Sequence, residues 1–321
     1  MKNGVPGVRD EYNRRFKTLR ISLTNHCNLG CTYCVPSGES NSNEKNDNPF
    51  DVGSLAMAVR TLHDMLELHT VRLTGGEPLL YRELIPFIKA IKKINIPGIK
   101  MTTNGYILAG KAKELKAAGL TDINVSLDAI EPDAFYMISR RKNLSKVLDG
   151  IEESIDAGLK VKINCVLMKG VNDHQLIPLF RYAKNKNIPI RFLELMKMGH
   201  LHDNYQQYLF TQAQILEVLS NEFSFSPVSR LPGATADYWQ LPGGYQFGII
   251  ANESHPFCND CDRLRLDSYG NIFGCLSSNT PVNIRDCLHD KKKLREHLQT
   301  ALYHKKTKFY GSALSMKAIG G

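Results

Sequence analysis

Two kinds of apolar patterning alternate along the first two thirds of the chain. Short aliphatic and β-branched runs at 19–24, 70–74, 99–103, 122–127, 160–167 and 189–195 predict strands. Between them, apolar residues recur every three or four positions and predict amphipathic helices over 55–68, 83–94, 111–118, 144–157 and 175–185. Gly119 and Gly158 directly follow two of these stretches, where glycine commonly ends a helix. Six strand-then-helix units predict a parallel sheet, either doubly wound or rolled into a barrel. Parallel strands are covered on both faces, so Arg20, Arg72, Lys162 and Arg191 within or beside these runs have to point into a cavity.

Beyond about residue 210 the pattern changes. The segments 238–241 and 245–250 flank Pro242-Gly243-Gly244 and read as a hairpin; a second hairpin is expected to turn at Tyr269-Gly270-Asn271. The expected organisation is an α/β domain over 1–210 and a smaller region over 211–321 that caps the open side of the first. The Ser-, Asn-, Glu- and Lys-rich stretch 37–51 reads as a mobile polar insertion.

With 321 residues and 42% hydrophobic content, the chain can form an ordinary globular core. The first ten residues lack an apolar leader and no run of about 18 apolar residues occurs, so a cytoplasmic protein without membrane contact is expected. A formal charge of +9 favours anionic partners without choosing among them. Six of the eight cysteines fall in two triplets, which fits metal binding under reducing conditions better than a disulfide framework.

The first triplet, Cys27, Cys31 and Cys34, has C-x3-C-x2-C spacing directly after the first predicted strand. Three thiolates on one loop can hold three irons of a [4Fe–4S] cube and leave the fourth open for a small molecule. Zinc would need a fourth ligand, and only His26 adjoins. The second triplet, Cys258-x2-Cys261-x13-Cys275, again offers three thiolates, with a zinc knuckle completed by His255 or His289 as the alternative. Cys165 and Cys287 fit no spacing and read as core or surface thiols. After the second strand comes Gly75-Gly76-Glu77-Pro78, whose glycines would let a ligand's polar end approach the backbone and whose glutamate could orient an ammonium group.

The cysteine loop, Tyr33 between its last two cysteines, and Gly-Gly-Glu-Pro together resemble the radical S-adenosylmethionine superfamily. The phrases Phe257-Cys258-Asn259-Asp260-Cys261-Asp262-Arg263-Leu264-Arg265-Leu266 and Gly270-Asn271-Ile272-Phe273-Gly274-Cys275-Leu276, with the terminal Ile319-Gly320-Gly321, resemble the GTP 3′,8-cyclases of molybdenum cofactor biosynthesis, the MoaA family. This resemblance implies an incomplete (β/α)6 TIM-like barrel with a C-terminal auxiliary-cluster region, two [4Fe–4S] clusters and S-adenosyl-L-methionine. Cys27, Cys31 and Cys34 would hold the catalytic cluster, and Tyr33, Gly76, Ser126 and Met196 would contact S-adenosylmethionine. Cys258, Cys261 and Cys275 would hold the auxiliary cluster, while Arg20, Arg72, Thr102, Lys162, Arg263 and Arg265 would contact GTP.

The reaction implied is hydrogen abstraction from C3′ of GTP by a 5′-deoxyadenosyl radical, followed by addition to C8 of the guanine. A reduced flavodoxin or ferredoxin-type donor, a downstream cyclic pyranopterin monophosphate synthase, a homodimer and a Gly-Gly tail reaching into the active site are further implications. The chain departs from the family at Asn25-His26, where Asp-Arg is usual, at Gly30, where arginine is usual, and at Val35-Pro36, where Met-Pro is usual. Alternatives are a MoaA-like paralogue with a different substrate, a radical S-adenosylmethionine peptide maturase, an RNA-modifying relative and a zinc-stabilised binding module.

Overall fold

The computed structural model describes residues 8–36, 49–303 and 305–319. Most of the polar stretch at 37–51 and the Gly320–Gly321 tail lie outside the described residues. The six expected strands form as β1 Thr18–Ser22, β2 Thr70–Thr74, β3 Gly98–Thr103, β4 Asp122–Ser126, β5 Lys160–Leu167 and β6 Ile190–Glu194. Helices α1 Val52–Leu66, α2 Leu84–Lys92 and α3 Ala112–Ala118 follow the first three strands. Two helices, α4 Pro132–Ser139 and α5 Ser145–Asp156, follow β4, and α6 Leu176–Asn185 follows β5.

Local chemistry sets these ends. Helix α1 starts three residues before the sequence expectation because the Asp51 side chain accepts from Ser54 N at 2.6 Å, an N-cap. It stops at Glu67, which turns left-handed at φ 54°. Helix α4 escaped the periodicity reading because it is a short segment. Its start nonetheless carries Pro132 and Asp133 in the first turn, residues that favour a helix N-terminus.

Strands β1 to β6 pair in parallel and in chain order. The remaining strands are β7 Ser226–Val228, β8 Asp237–Gln240, β9 Gln246–Ile250, β10 Arg263–Asp267, β11 Asn271–Phe273 and β12 Val282–Asn283. Both expected hairpins form, β8 with β9 and β10 with β11. The C-terminal segment also extends the parallel sheet: β9 pairs in parallel with β6 and β10 with β1. The chain therefore leaves one edge at Ile250 and re-enters at the opposite edge at Arg263. Residues 251–262 form a crossover from the carboxyl end of β9 to the amino end of β10. Helices α7 Tyr205–Tyr208, α8 Gln212–Ser220, α9 Lys291–Tyr303 and α10 Met316–Ile319 complete the described chain. Among the described residues no helix is long and apolar enough to cross a membrane.

Each parallel strand has one apolar and one polar face. Leu19, Ile21, Val71, Leu73, Ile123 and Val125 are fully buried and belong to one continuous core with the helices. Arg20, Arg72, Asn124 and Ser126 alternate with them, so the opposite face lines a polar lumen. Beyond β6 the core continues as an aromatic cluster. Phe180 lies 4.6 Å from Phe223 and 5.3 Å from Phe247, and Trp239 stacks on Phe247 at 5.7 Å.

At the carboxyl end of β4 a buried polar network ties three strand ends together. Asp128 accepts from the Tyr33 hydroxyl and from Val166 N, both at 2.8 Å, and Asn172 donates to the Asp128 and Val166 carbonyls at 2.8 and 2.9 Å. Burial pushes the Asp128 carboxyl from its ordinary 3.8 up to about 6, against the opposing pull of these bonds. A folded-state pKa above the unfolded one means stability present below the lower value and lost as pH rises through the higher. Asp128→Asn keeps the Val166 bond and lets the tyrosine hydroxyl turn to the amide. In urea unfolding of the cluster-free chain between about pH 4 and 7, the variant is expected to gain on the parent by up to about 3 kcal/mol as pH rises. Parallel profiles would contradict this account.

Candidate functional site

The loop carrying Cys27, Cys31 and Cys34 leaves the carboxyl end of β1 and is gripped from two sides. On one side Gly76 N donates to Thr24 O at 2.6 Å and Glu77 N to His26 O at 2.7 Å. A Cβ at Gly76 would stand 2.3 Å from His26 O, and one at Gly75, whose φ is +151°, would stand 2.4 Å from Thr24 O. The glycines thus admit the backbone of the cysteine loop itself, a role beyond the ligand approach expected from sequence. On the other side Gly30 N donates to Ser139 O at 3.0 Å and Thr32 N to Ile138 O at 2.9 Å. Arg140 Nη1 reaches Pro36 O at 3.0 Å and Arg141 Nε reaches Asn28 O at 2.7 Å. Gly30 leaves space that Arg140 fills: its Cδ lies 3.4 Å from where a Cβ would stand. Neither arginine was among the sequence-derived site residues, because α4 itself was missed.

Glu77 is fully buried. Its carboxylate accepts from Thr103 Oγ1 at 2.6 Å, Asn104 N at 2.7 Å and Leu79 N at 3.0 Å. Burial raises it to about 7 despite these bonds. The side chain braces the β2 and β3 loops against each other.

Burial raises the Cys27 thiol to about 11 and the Cys31 thiol well above its usual range, and neighbouring thiolates add to both. Leu29 N approaches Cys27 Sγ at 3.5 Å and Asn104 Nδ2 approaches it at 3.8 Å. A small cavity beside them is lined by Cys31, Tyr33, Asn104, Ser126 and Asp128. Met196 packs against the small apolar cluster of Met198, Phe273 and Ile319.

Inside the lumen, parallel pairing brings cations side by side. Arg265, Arg20, Arg72 and Lys100 stand in lateral register across β10, β1, β2 and β3. Lys100 is paired with Asp122 at 3.3 Å. Thr102, Asn124 and Lys162 form the next row and Asn164, Arg191 and Gly248 another. Arg191 Nε donates to Asn164 Oδ1 at 2.9 Å, and a Cβ on Gly248 would lie 3.2 Å from Arg191 Cγ. Burial and then mutual repulsion lower Arg20 to about 10 and Arg72 to about 9. Arg265 and Arg191 are also lowered by burial. The buried atoms Arg20 Nε and Arg263 Nη2 have no hydrogen-bond acceptor. Arg191 belongs with this group, although the resemblance did not assign it.

The second triplet lies at the other end of the same strands. Cys258 and Cys261 end the crossover just before β10 begins, and Cys275 follows β11, which runs antiparallel to β10. Burial alone would raise both crossover thiols. Cys258 does rise to about 11, whereas Lys305 and Arg263 draw Cys261 down to about 6. Ser277 N approaches Cys275 Sγ at 3.5 Å, the same two-residue offset seen at Cys27. The crossover is anchored along its length. Glu194 accepts from Glu253 N and Ser254 N at 2.9 Å and from the Ser254 hydroxyl, Arg230 pairs with Asp260 at 2.8 Å, and Arg14 Nη1 donates to Cys258 O at 2.5 Å.

His26, His255 and His289 are exposed, while Cys165 and Cys287 are buried in the core. Among the described residues no trio of His, Cys, Asp and Glu side chains closes on a single ion. Within each triplet the sulfurs nonetheless lie near enough to repel one another as thiolates. An all-sulfur donor set with raised thiols and backbone N–H groups aimed at sulfur suits an iron–sulfur cluster, whose positive core favours ionised ligands.

Comparison with known proteins matches residues 21–183 to the Radical SAM superfamily and residues 188–311 to Molybdenum Cofactor Synthesis C. A GTP 3′,8-cyclase of Campylobacter curvus (strain 525.92) is 38% identical over 87% of this chain and 86% of its own length. One from Helicobacter pylori (strain ATCC 700392 / 26695) is 34% identical over 93% of each. Among solved structures, Streptococcus suis SuiB bound to precursor peptide SuiA superposes with a TM-score of 0.67 at 16% identity, covering 92% of this chain and 68% of SuiB. Native anSMEcpe with bound AdoMet gives 0.62 at 16% identity, covering 90% of this chain and 81% of its own. The structural neighbours establish a shared fold, and the far higher identity to the cyclases carries the assignment: this chain belongs to the radical SAM superfamily and, within it, to the GTP 3′,8-cyclase family.

Proposed function

We propose that this protein is a radical S-adenosylmethionine GTP 3′,8-cyclase of molybdenum cofactor biosynthesis, and that its lumen is the GTP site. The observation that carries the site is the excess of buried positive charge. Arg20, Arg72, Arg191, Arg263 and Arg265 crowd one cavity; burial lowers Arg20, Arg72, Arg191 and Arg265, repulsion from neighbouring arginines adds to this at Arg20, Arg72 and Arg265, and Arg20 Nε and Arg263 Nη2 lack acceptors. A buried charge is costly unless it meets its opposite. A triphosphate answers that cost, with acceptor oxygens suited to guanidinium forks. Thr102 and Lys162 complete the set from β3 and β5.

Cys27, Cys31 and Cys34 fit the cluster that binds S-adenosylmethionine, with Tyr33, Gly76, Ser126 and Met196 as its contacts. Cys258, Cys261 and Cys275 fit an auxiliary cluster at the opposite end. Bound together, the first cluster and S-adenosylmethionine supply a carbon radical able to remove the C3′ hydrogen. The chain's own residues then act by placement. The arginine row fixes the phosphates, which fixes how far the ribose reaches toward the first triplet. The buried walls of the lumen keep a reactive intermediate from side reactions with outside molecules. A reduced flavodoxin or ferredoxin-type donor in the cytoplasm would provide the electron.

The peptide-maturase reading rests on fold neighbours at 16% identity, and a row of buried guanidinium groups suits a polyanion better than a peptide backbone. The distinguishing experiment is anaerobic reconstitution with S-adenosylmethionine, with and without GTP. A cyclised dihydro-GTP product formed in step with 5′-deoxyadenosine is expected; turnover indifferent to GTP would rule the cyclase out. Arg72→Met should weaken GTP binding by about 2–3 kcal/mol, roughly thirty- to a hundred-and-fiftyfold. The same change relieves like-charge repulsion, so the GTP-free variant should be more stable by about 1 kcal/mol in denaturant. A lower stability would mean that Arg72 is a structural rather than an anion-binding residue. Gly76→Ala, by displacing His26 O, is expected to empty the first triplet alone, taking iron from about eight to about four per chain.

A further inference from the structure

Lys305 lies between α9 and the C-terminal segment, and it carries a charge that the site so far described does not use. Its residue is 2% exposed. The ammonium donates to Gly274 O at 2.7 Å and Arg263 O at 2.9 Å and stands 5.5 Å from the centre of the Phe16 ring. Gly274 immediately precedes Cys275, and Arg263 lies two residues after Cys261. Carbonyl oxygens satisfy the N–H donors but leave the charge uncompensated.

Nearby Arg14 shows what compensation looks like. It is buried too, and it donates to Lys305 O at 3.2 Å as well as to Cys258 O, but Asp10 neutralises it at 2.5 Å. Among the described residues Lys305 has no ion-pair partner. Its two acceptor carbonyls adjoin the second triplet, Gly274 beside Cys275 and Arg263 two residues after Cys261, and its charge acts on Cys258 and Cys261. Arg20, Arg263 and Arg265 also face these thiols, yet they stand on lumen strands and are shared with the nucleotide. Lys305 stands outside those strands and is separate from the lumen row.

We propose that Lys305 is the dedicated countercharge of the second triplet's iron–sulfur cluster, a positioning residue that stabilises the more negative, reduced form. This rests on the auxiliary-cluster reading above. A cluster gaining an electron beside a fixed, dehydrated ammonium is favoured in the reduced state, and this raises its reduction potential.

The test uses the full-length chain carrying Cys27→Ser, Cys31→Ser and Cys34→Ser, so that any iron reports on the second triplet. The parent should bind about four irons after anaerobic reconstitution. Lys305→Gln keeps hydrogen-bond donors without charge, and Lys305→Arg keeps both. The midpoint potential, followed by electron paramagnetic resonance, is expected to fall in the Gln variant by at least a tenfold shift in the one-electron equilibrium, about 59 mV. The Arg variant should stay near the parent. Failure of the Gln variant alone to take up iron would also support the countercharge role. Equal potentials in parent and Gln variant would overturn it, as would loss of iron from both variants, which would make the lysine a structural bracket. A parent that binds zinc or no iron would defeat the auxiliary-cluster reading itself, and this proposal with it.

Discussion

Like-charge crowding among buried side chains governs this molecule. Parallel pairing forces Arg265, Arg20, Arg72 and Lys100 into one row, and the register cannot relax because the opposite face of the same strands is the hydrophobic core. Slipping one strand by a residue would turn Leu19 and Ile21 into the lumen and Arg20 into the helices. The core thus holds the cations together against their repulsion. Burial of apolar surface, at about 25 cal/mol per Å2, is the favourable term that offsets an electrostatically unfavourable cavity.

The two ends of the lumen are built by different means. At the carboxyl end the cysteine loop is held by backbone contacts to Gly76 and Glu77 on one side and to Ile138 and Ser139 on the other, and by Arg140 and Arg141 side chains that donate to its carbonyls. The backbone contacts tolerate side-chain change, which explains how Asn25, His26 and Gly30 can stand where the family usually has other residues. Arg140 occupies the volume that Gly30 vacates. The crossover is held by charged side chains: at its start, by the carboxyl end of β6, the Glu194 carboxylate collects the N–H donors of residues 253 and 254, and toward the amino end Arg14 pairs with Asp10 and Arg230 with Asp260.

The sequence revealed what depends on local pattern and concealed what depends on long-range placement. Strands β1 to β6 were legible because four to eight apolar or β-branched residues between turn signals leave few alternatives. The cavity was legible from arginines in positions where a two-sided buried strand has no use for them. Both hairpins were readable from their turns, but nothing local shows that the far side of β9 meets β6 while β10 crosses to β1. For the same reason the opposite placement of the two triplets could not be read, nor could Glu77 as a brace between loops. Lys305 was invisible because it follows a polar helix and sits in the basic stretch Lys305-Lys306-Thr307-Lys308, which resembles any solvated tail until the fold buries one member.

The crossover at 251–262 has a temporal consequence. Its flanking strands are neighbours in sequence but flank β1 to β6 on opposite sides, so the pairing of β10 joins residues more than two hundred positions apart, such as Leu19 with Leu264. Contacts of that separation form late. Until β9 and β10 are in place, β6 and β1 present unpaired edges of the kind that invite association with other chains.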